Sequence, residues 1–168
     1  MQIAYRAQRI EPFYVIEVAK AASALAREVA DSSRPMVFLN IGEPDFTAPP
    51  LVQEAADRAV RNGATQYTPA LGLDALRERI SDWYAQRFGV NVPARRIVVT
   101  AGASAALQLA CLALINAGDE VLMPDPSYPC NRHFVSAAEG RAVLIPTTAQ
   151  ERFQLSADKV RAAWGART

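Results

Sequence analysis

The residues best placed to do chemistry lie in the stretch IVVTAGASAALQLACLALINAGDEVLMPDPSYPCN, positions 97–131. Its turn Gly102-Ala103-Ser104-Ala105 follows a β-branched run and opens a long apolar helix. The first N–H groups of a helix lack partners inside it, and the positive end of the helix dipole faces outward there. Small residues let an anion approach that backbone, and Ser104 can add a hydroxyl donor, so the turn could hold a phosphate. Plain helix capping by Ser104 accounts for the same residues, and neither a Walker loop nor a dinucleotide fingerprint is present. Tyr128, held in Pro126-Ser127-Tyr128-Pro129 just past a strand, could stack on a planar ligand or pack to anchor its loop. Tyr67, in the loop Tyr67-Thr68-Pro69, could donate to an anion or cover a core edge. Glu43 and Asp45 look like an acid pair, with turn capping the simpler use.

Some residue types are scarce. The chain has two lysines, Lys20 and Lys159, and neither sits where this chemistry would want one. One histidine, His133, and two unclustered cysteines argue against a transition-metal site. Cys111 reads as a small core residue, and both thiols read as reduced and intracellular. A net charge of +1 without a basic stripe argues against a nucleic-acid partner. The apolar stretch 105–117 is too short for a membrane span, and the N-terminus lacks a signal-peptide core. The expected location is cytoplasmic.

The elements that must position these residues follow from periodicity. A helix is expected over 11–29 with Pro12 in its first turn, then a short strand over 36–41 stopped by Gly42. Three prolines make 42–50 an irregular turn. Helices are expected over 50–62 and 72–88, ended by Gly63 and Gly89. The rhythm then becomes strand, helix, strand, helix, strand: strands over 97–100, 120–123 and 142–145, helices over 103–116 and 131–139. Ser156 should N-cap a last helix reaching Trp164. Strands alternating with helices predict a parallel sheet covered on both faces. With 168 residues, 51% hydrophobic and 21% charged, there is ample core material. Three strands are few for an open α/β domain, so the sequence reads as an incomplete one.

Five segments in order carry a family resemblance: EPFYVIEVAKAASAL, NIGEPDFTAPP, YTPALGLDALRERI, VVTAGASAAL and GDEVLMPDPSYP. Together the chain resembles the N-terminal part of the class I/II aminotransferases, the fold-type I pyridoxal-phosphate enzymes. The resemblance implies an α/β fold, a three-layer αβα sandwich with a mostly parallel sheet, incomplete in this chain. Residues 1–48 would form the arm, first helix and small-domain or linker segment, and 49–168 the first part of the cofactor-binding large domain. Gly102, Ala103, Ser104 and Ala105 would form the cup for the pyridoxal 5'-phosphate phosphate group, and Tyr128 would stack on its pyridine ring. Tyr67 would reach across a homodimer interface to the other subunit's cofactor phosphate. Ile41 and Gly42 would line the substrate pocket near the amino acid's carboxylate, and Tyr14, with Phe13, would help close it.

The reaction implied is transfer of an amino group from an α-amino acid to a 2-oxo acid. The family's Schiff-base lysine, its Asn-Pro-x-Gly segment, the aspartate facing the pyridine nitrogen and the arginine gripping the substrate carboxylate are not found in these 168 residues. The chain is therefore expected to be a truncated N-terminal portion, inactive alone, with no catalytic residue of its own. Two alternatives share the resemblance: a pyridoxal-phosphate-dependent lyase of the same fold, and a non-catalytic cofactor-binding or oligomerisation fragment.

Overall fold

The computed structural model describes residues 2–168. The chain divides into two compact units, one formed by residues up to Ile41 with Gly102–Thr168, the other by Gly42–Ala101.

The first unit is built on a βαβ motif. Strand β1 (Glu120–Asp125) and strand β2 (Arg141–Pro146) pair in parallel, with Glu120 opposite Arg141 and Asp125 opposite Pro146. Parallel strands need a crossover, supplied here by helix α6 (Cys130–Ala137). The pairing continues past β2, where Thr147 N–H donates to Asp125 O at 2.8 Å and its hydroxyl to the same oxygen at 3.0 Å. That satisfies the one buried polar residue among those described. Four more helices belong to this unit: α1 (Tyr5–Gln8), α2 (Tyr14–Glu28), α5 (Gly102–Leu114) and α7 (Ala157–Ala163). α6 and α7 pack on β2, and α5 packs on α6.

Gly140 shows how closely these pieces approach. A Cβ there would lie 2.6 Å from Ile115 Cγ2 and 3.0 Å from Val135 Cγ1. Around it, Gly140 N–H donates to Val135 O at 3.0 Å and Arg141 N–H to Asp119 O at 2.8 Å, turning α6 into β2. Val135, 1% exposed, and Ile145, 7% exposed, are the buried apolar residues of the described chain.

The second unit holds α3 (Pro50–Arg61), α4 (Asp74–Phe88) and a 3₁₀ turn, Ala94–Arg96. Pro50 is the first helical residue of α3, where its missing N–H costs nothing. Arg77 ties α4 to the segment that follows it. Its guanidinium donates to Ile97 O at 2.9 Å, Ala94 O at 2.9 Å and Asp74 Oδ1 at 2.8 Å. Ser81 Oγ adds a bond to Val92 O at 2.6 Å.

Several expectations need correction. No strand forms over 36–41 or 97–100, because extended backbone becomes a strand only with a neighbour to complete its ladder. In 97–100, Val99 N–H bonds Leu71 O at 3.0 Å without a strand ladder forming. Pro12 precedes α2 instead of entering its first turn, and α4 begins at Asp74, two residues later than expected. β1 runs through Pro124, which pairs opposite Ile145; proline is tolerated because β1 is an edge strand. Ser156 caps α7 as expected, its Oγ accepting from Lys159 N–H at 3.2 Å. Among the described residues no helix is long and apolar enough to cross a membrane.

Candidate cofactor site at the start of helix α5

Helix α5 opens at Gly102, whose φ of +81° lies in the left-handed region that glycine adopts without strain. A Cβ at Gly102 would meet nothing within 4 Å, so the backbone here is open to approach. Ala103 and Ser104 are exposed, and Ala105 is half-buried. α5 has 13 residues, long enough for its dipole and first-turn N–H groups to favour an anion at this end.

Tyr128 comes to the same place from the loop between β1 and α6. The Ser104 hydroxyl and the Cys130 thiol are the neighbouring groups that act on its phenol. The phenol is held above its ordinary pKa. The Cys130 hydrogen bond is the largest cause, followed by the electrostatic influence of that thiol and by burial, while the Ser104 bond pulls the other way. Phe13, the residue before α2, meets the Tyr128 ring edge-on, with centroids 6.2 Å apart and planes at 71°. Tyr128 remains 50% exposed, so part of its ring is free to meet a ligand.

The other expected site residues fall elsewhere. Tyr14 begins α2 and is exposed; it is the neighbouring Phe13 whose ring reaches Tyr128. Ile41 ends the first unit's N-terminal segment, half or more exposed, and Gly42 begins the second unit. Tyr67 lies in the second unit's loop after α3 and is fully exposed. Neither lysine is offered to the α5 turn as a free amine. Lys20 pairs with Glu17 at 2.9 Å on α2, and Lys159 Nζ donates to Glu151 at 2.6 Å and to Pro146 O at 2.8 Å. The influence of Cys130 on the Tyr128 phenol was not foreseen, although its position two residues after Tyr128, across a proline, was the available signal.

The residues at the α5 turn fit a ligand with a phosphate and a flat ring: an open helix N-terminus, a hydroxyl, and a half-exposed aromatic plate. Residues 34–167 match the family described as aminotransferase class I and II. An aspartate aminotransferase of Pyrococcus horikoshii is 36% identical over 126 residues, covering 75% of this chain and 32% of that protein. A valine–pyruvate aminotransferase of Mycobacterium tuberculosis is 39% identical over 148 residues, covering 88% of this chain and 37% of that protein. The crystal structure of the aspartate aminotransferase from Rhizobium meliloti superimposes with a TM-score of 0.89 at 33% identity, covering 99% of this chain and 41% of that one. The chain belongs to the class I and II aminotransferase family, and its fold is the α/β fold of those enzymes. It spans well under half the length of the curated relatives it matches.

Proposed function

We propose that this chain supplies the phosphate cup and the ring-stacking residue of a pyridoxal-phosphate-dependent aminotransferase. The observation that carries this reading is the meeting of Ser104 and Tyr128 at the N-terminus of α5. In this reading the first-turn backbone of Gly102, Ala103, Ser104 and Ala105 binds the phosphate, aided by the helix dipole. The Ser104 hydroxyl turns from the phenol to a phosphate oxygen. Tyr128 stays neutral through the physiological range and offers its ring to the pyridine. The bound cofactor supplies an electron sink for reactions at an amino acid's Cα.

The substrates are an α-amino acid and a 2-oxo acid. Ile41 and Gly42 stand on the carboxylate side of the pocket, and Tyr14 contributes to its closure. Tyr67 serves the phosphate of the partner's cofactor in a cytoplasmic homodimer; its full exposure leaves the phenol available for such a role. By itself this chain turns over no substrate in this reading, because neither Lys20 nor Lys159 lies in the sequence context of the family's Schiff-base lysine.

Equilibrium titration with pyridoxamine 5'-phosphate tests the site. This form lacks the aldehyde and so cannot label surface amines. Saturable binding that weakens roughly tenfold or more in Ser104→Ala, as loss of a hydrogen bond to a charged group requires, supports the reading. Equal binding by the two proteins removes Ser104 from the site. In parallel, borohydride treatment with pyridoxal phosphate should leave no stoichiometric adduct on one lysine; such an adduct on Lys20 or Lys159 would contradict the inactivity of the lone chain.

A further inference from the structure

A polar cavity of about 450 Å³ opens in the first unit, and no residue of the α5 turn lines it. Its walls are Arg9 and Glu11 ahead of α2, Arg132, His133 and Ser136 on α6, and the residues that turn α6 into β2. Residues three and four apart are neighbours on a helix, so Ser136 stands beside both Arg132 and His133. His133 and Ser136 are half-buried, and the Arg132 side chain is 35% exposed. Polar groups at such depth ordinarily find partners in the fold. Among the described residues the His133 ring and the Ser136 hydroxyl have none. The Arg9 guanidinium lies over the Tyr5 ring, 5.5 Å from its centroid, without a carboxylate partner among those residues. Arg132 approaches Asp125 at 3.6 Å, beyond hydrogen-bond reach. Other charges facing the cavity are already balanced, Glu139 by Arg6 at 3.5 Å and Arg141 by Glu120. Glu11 is exposed and unpaired among the described residues.

We propose that this cavity is a binding site for a small oxyanion, a carboxylate or phosphate group, gripped by Arg9 and Arg132 and further hydrogen-bonded by His133 and Ser136. The α5 turn takes no part in it. Guanidinium forks match carboxylate and phosphate oxygens two at a time, and partial burial makes such bonds stronger than in open water. Positive and negative groups in and around the cavity are equal in number, so the attraction is short-range and made at these donors. A bound oxyanion joins the segment ahead of α2 to α6, because Arg9 comes from one and Arg132 from the other. Glu11 opposes the same ligand by its charge, and its neutralisation favours binding.

His133 supplies the reporter, since a chain with one histidine has one set of imidazole NMR signals. The full 168-residue chain, free of any histidine tag, is titrated with sodium phosphate and separately with sodium succinate. The pH is fixed, and sodium chloride holds the ionic strength constant. The His133 signals should move and saturate. Saturation by phosphate alone identifies a phosphate ligand, by succinate alone a carboxylate, and by both the shared oxyanion chemistry. Arg9→Gln and Arg132→Gln should each weaken binding about threefold or more, the scale of one net hydrogen bond. Glu11→Gln should tighten it. Arg95→Gln, in the second unit, removes the same charge elsewhere and should leave it unchanged. Amide spectra like those of the unsubstituted chain qualify each variant, and Arg9→Gln, at an exposed position, decides the matter if Arg132→Gln does not fold. Signals that move in proportion to anion concentration without saturating overturn the proposal. So do equal affinities in Arg9→Gln and the unsubstituted chain. A response that Ser104→Ala abolishes also overturns it, by placing the anion at the α5 turn.

Discussion

At the scale of single residues, the contrast between Ser104 and Arg77 is instructive. Ser104 was singled out by its neighbours Gly102, Ala103 and Ala105, because small residues at a strand-to-helix turn are a local pattern. Arg77 carries no such mark; it is one arginine among many scattered along helix faces. Its partners Ala94 and Ile97 lie a loop and a turn away, and only folding brings their carbonyls to its guanidinium. Its side chain is 11% exposed, so its bonds are poorly replaced by water. Arg77→Met should cost about 2–3 kcal/mol in urea unfolding, the range for hydrogen bonds to a charged group, with Asp74→Ala costing much less because that carboxylate is exposed. Cys111 illustrates the opposite case. Burial raises its thiol pKa, so it should react with alkylating reagents more slowly than a free thiol.

At the scale of elements, α7 is held by a cap that sequence predicted and an ion pair that it did not. Ser156 before Ala157-Asp158-Lys159 is a readable N-cap. The Lys159–Glu151 pair also depends on the turn after β2, where Glu151 accepts from Thr148 N–H and Oγ1–H at 2.9 Å each. Lys159, then Thr148, holds the Glu151 carboxyl below its ordinary pKa. A carboxylate with a depressed folded pKa adds stability that is complete above its unfolded pKa and is lost as pH falls through the folded value. Carboxyl NMR titration should therefore show Glu151 titrating below a free glutamate, and Lys159→Met should move it upward. A titration unchanged by Lys159→Met would assign the shift to Thr148. The α6–β2 turn makes a steric prediction. Gly140→Ala forces a Cβ against Ile115 and Val135 and should cost about 1–3 kcal/mol in thermal or urea unfolding.

At the scale of the whole molecule, the apolar content expected to fill a core lies largely on the surface. Leu109, Leu112 and Leu114 of α5 are all exposed, the last at 80%, as are Val37, Phe38 and Leu39. Exposed apolar area of this extent marks surfaces built to be covered. The chain should bind a hydrophobic dye strongly and sediment heavier than a monomer as concentration rises. Leu109→Lys with Leu112→Lys should reduce both effects. Weak dye binding and a concentration-independent monomer would show that these side chains are shielded in solution.

The order of elements from α2 onward was legible in the sequence, because helical periodicity, β-branched runs and Gly or Pro punctuation act over a few residues. So was the small-residue turn at 102–105 that opens α5, which depends only on local sequence. That two of the expected strands, 36–41 and 97–100, do not form was not legible. The sequence of 36–41 or 97–100 specifies an extended conformation, but a strand also needs a partner ladder, and that partner is a property of the fold. Tyr128 was legible as an aromatic in a constrained loop; its edge-on contact with Phe13 was not. Whether Tyr128 stacks outward or packs inward depends on what meets its ring and its hydroxyl. Tertiary structure decides that by bringing the start of α2, the start of α5 and the start of α6 together, across separations that no local pattern spans.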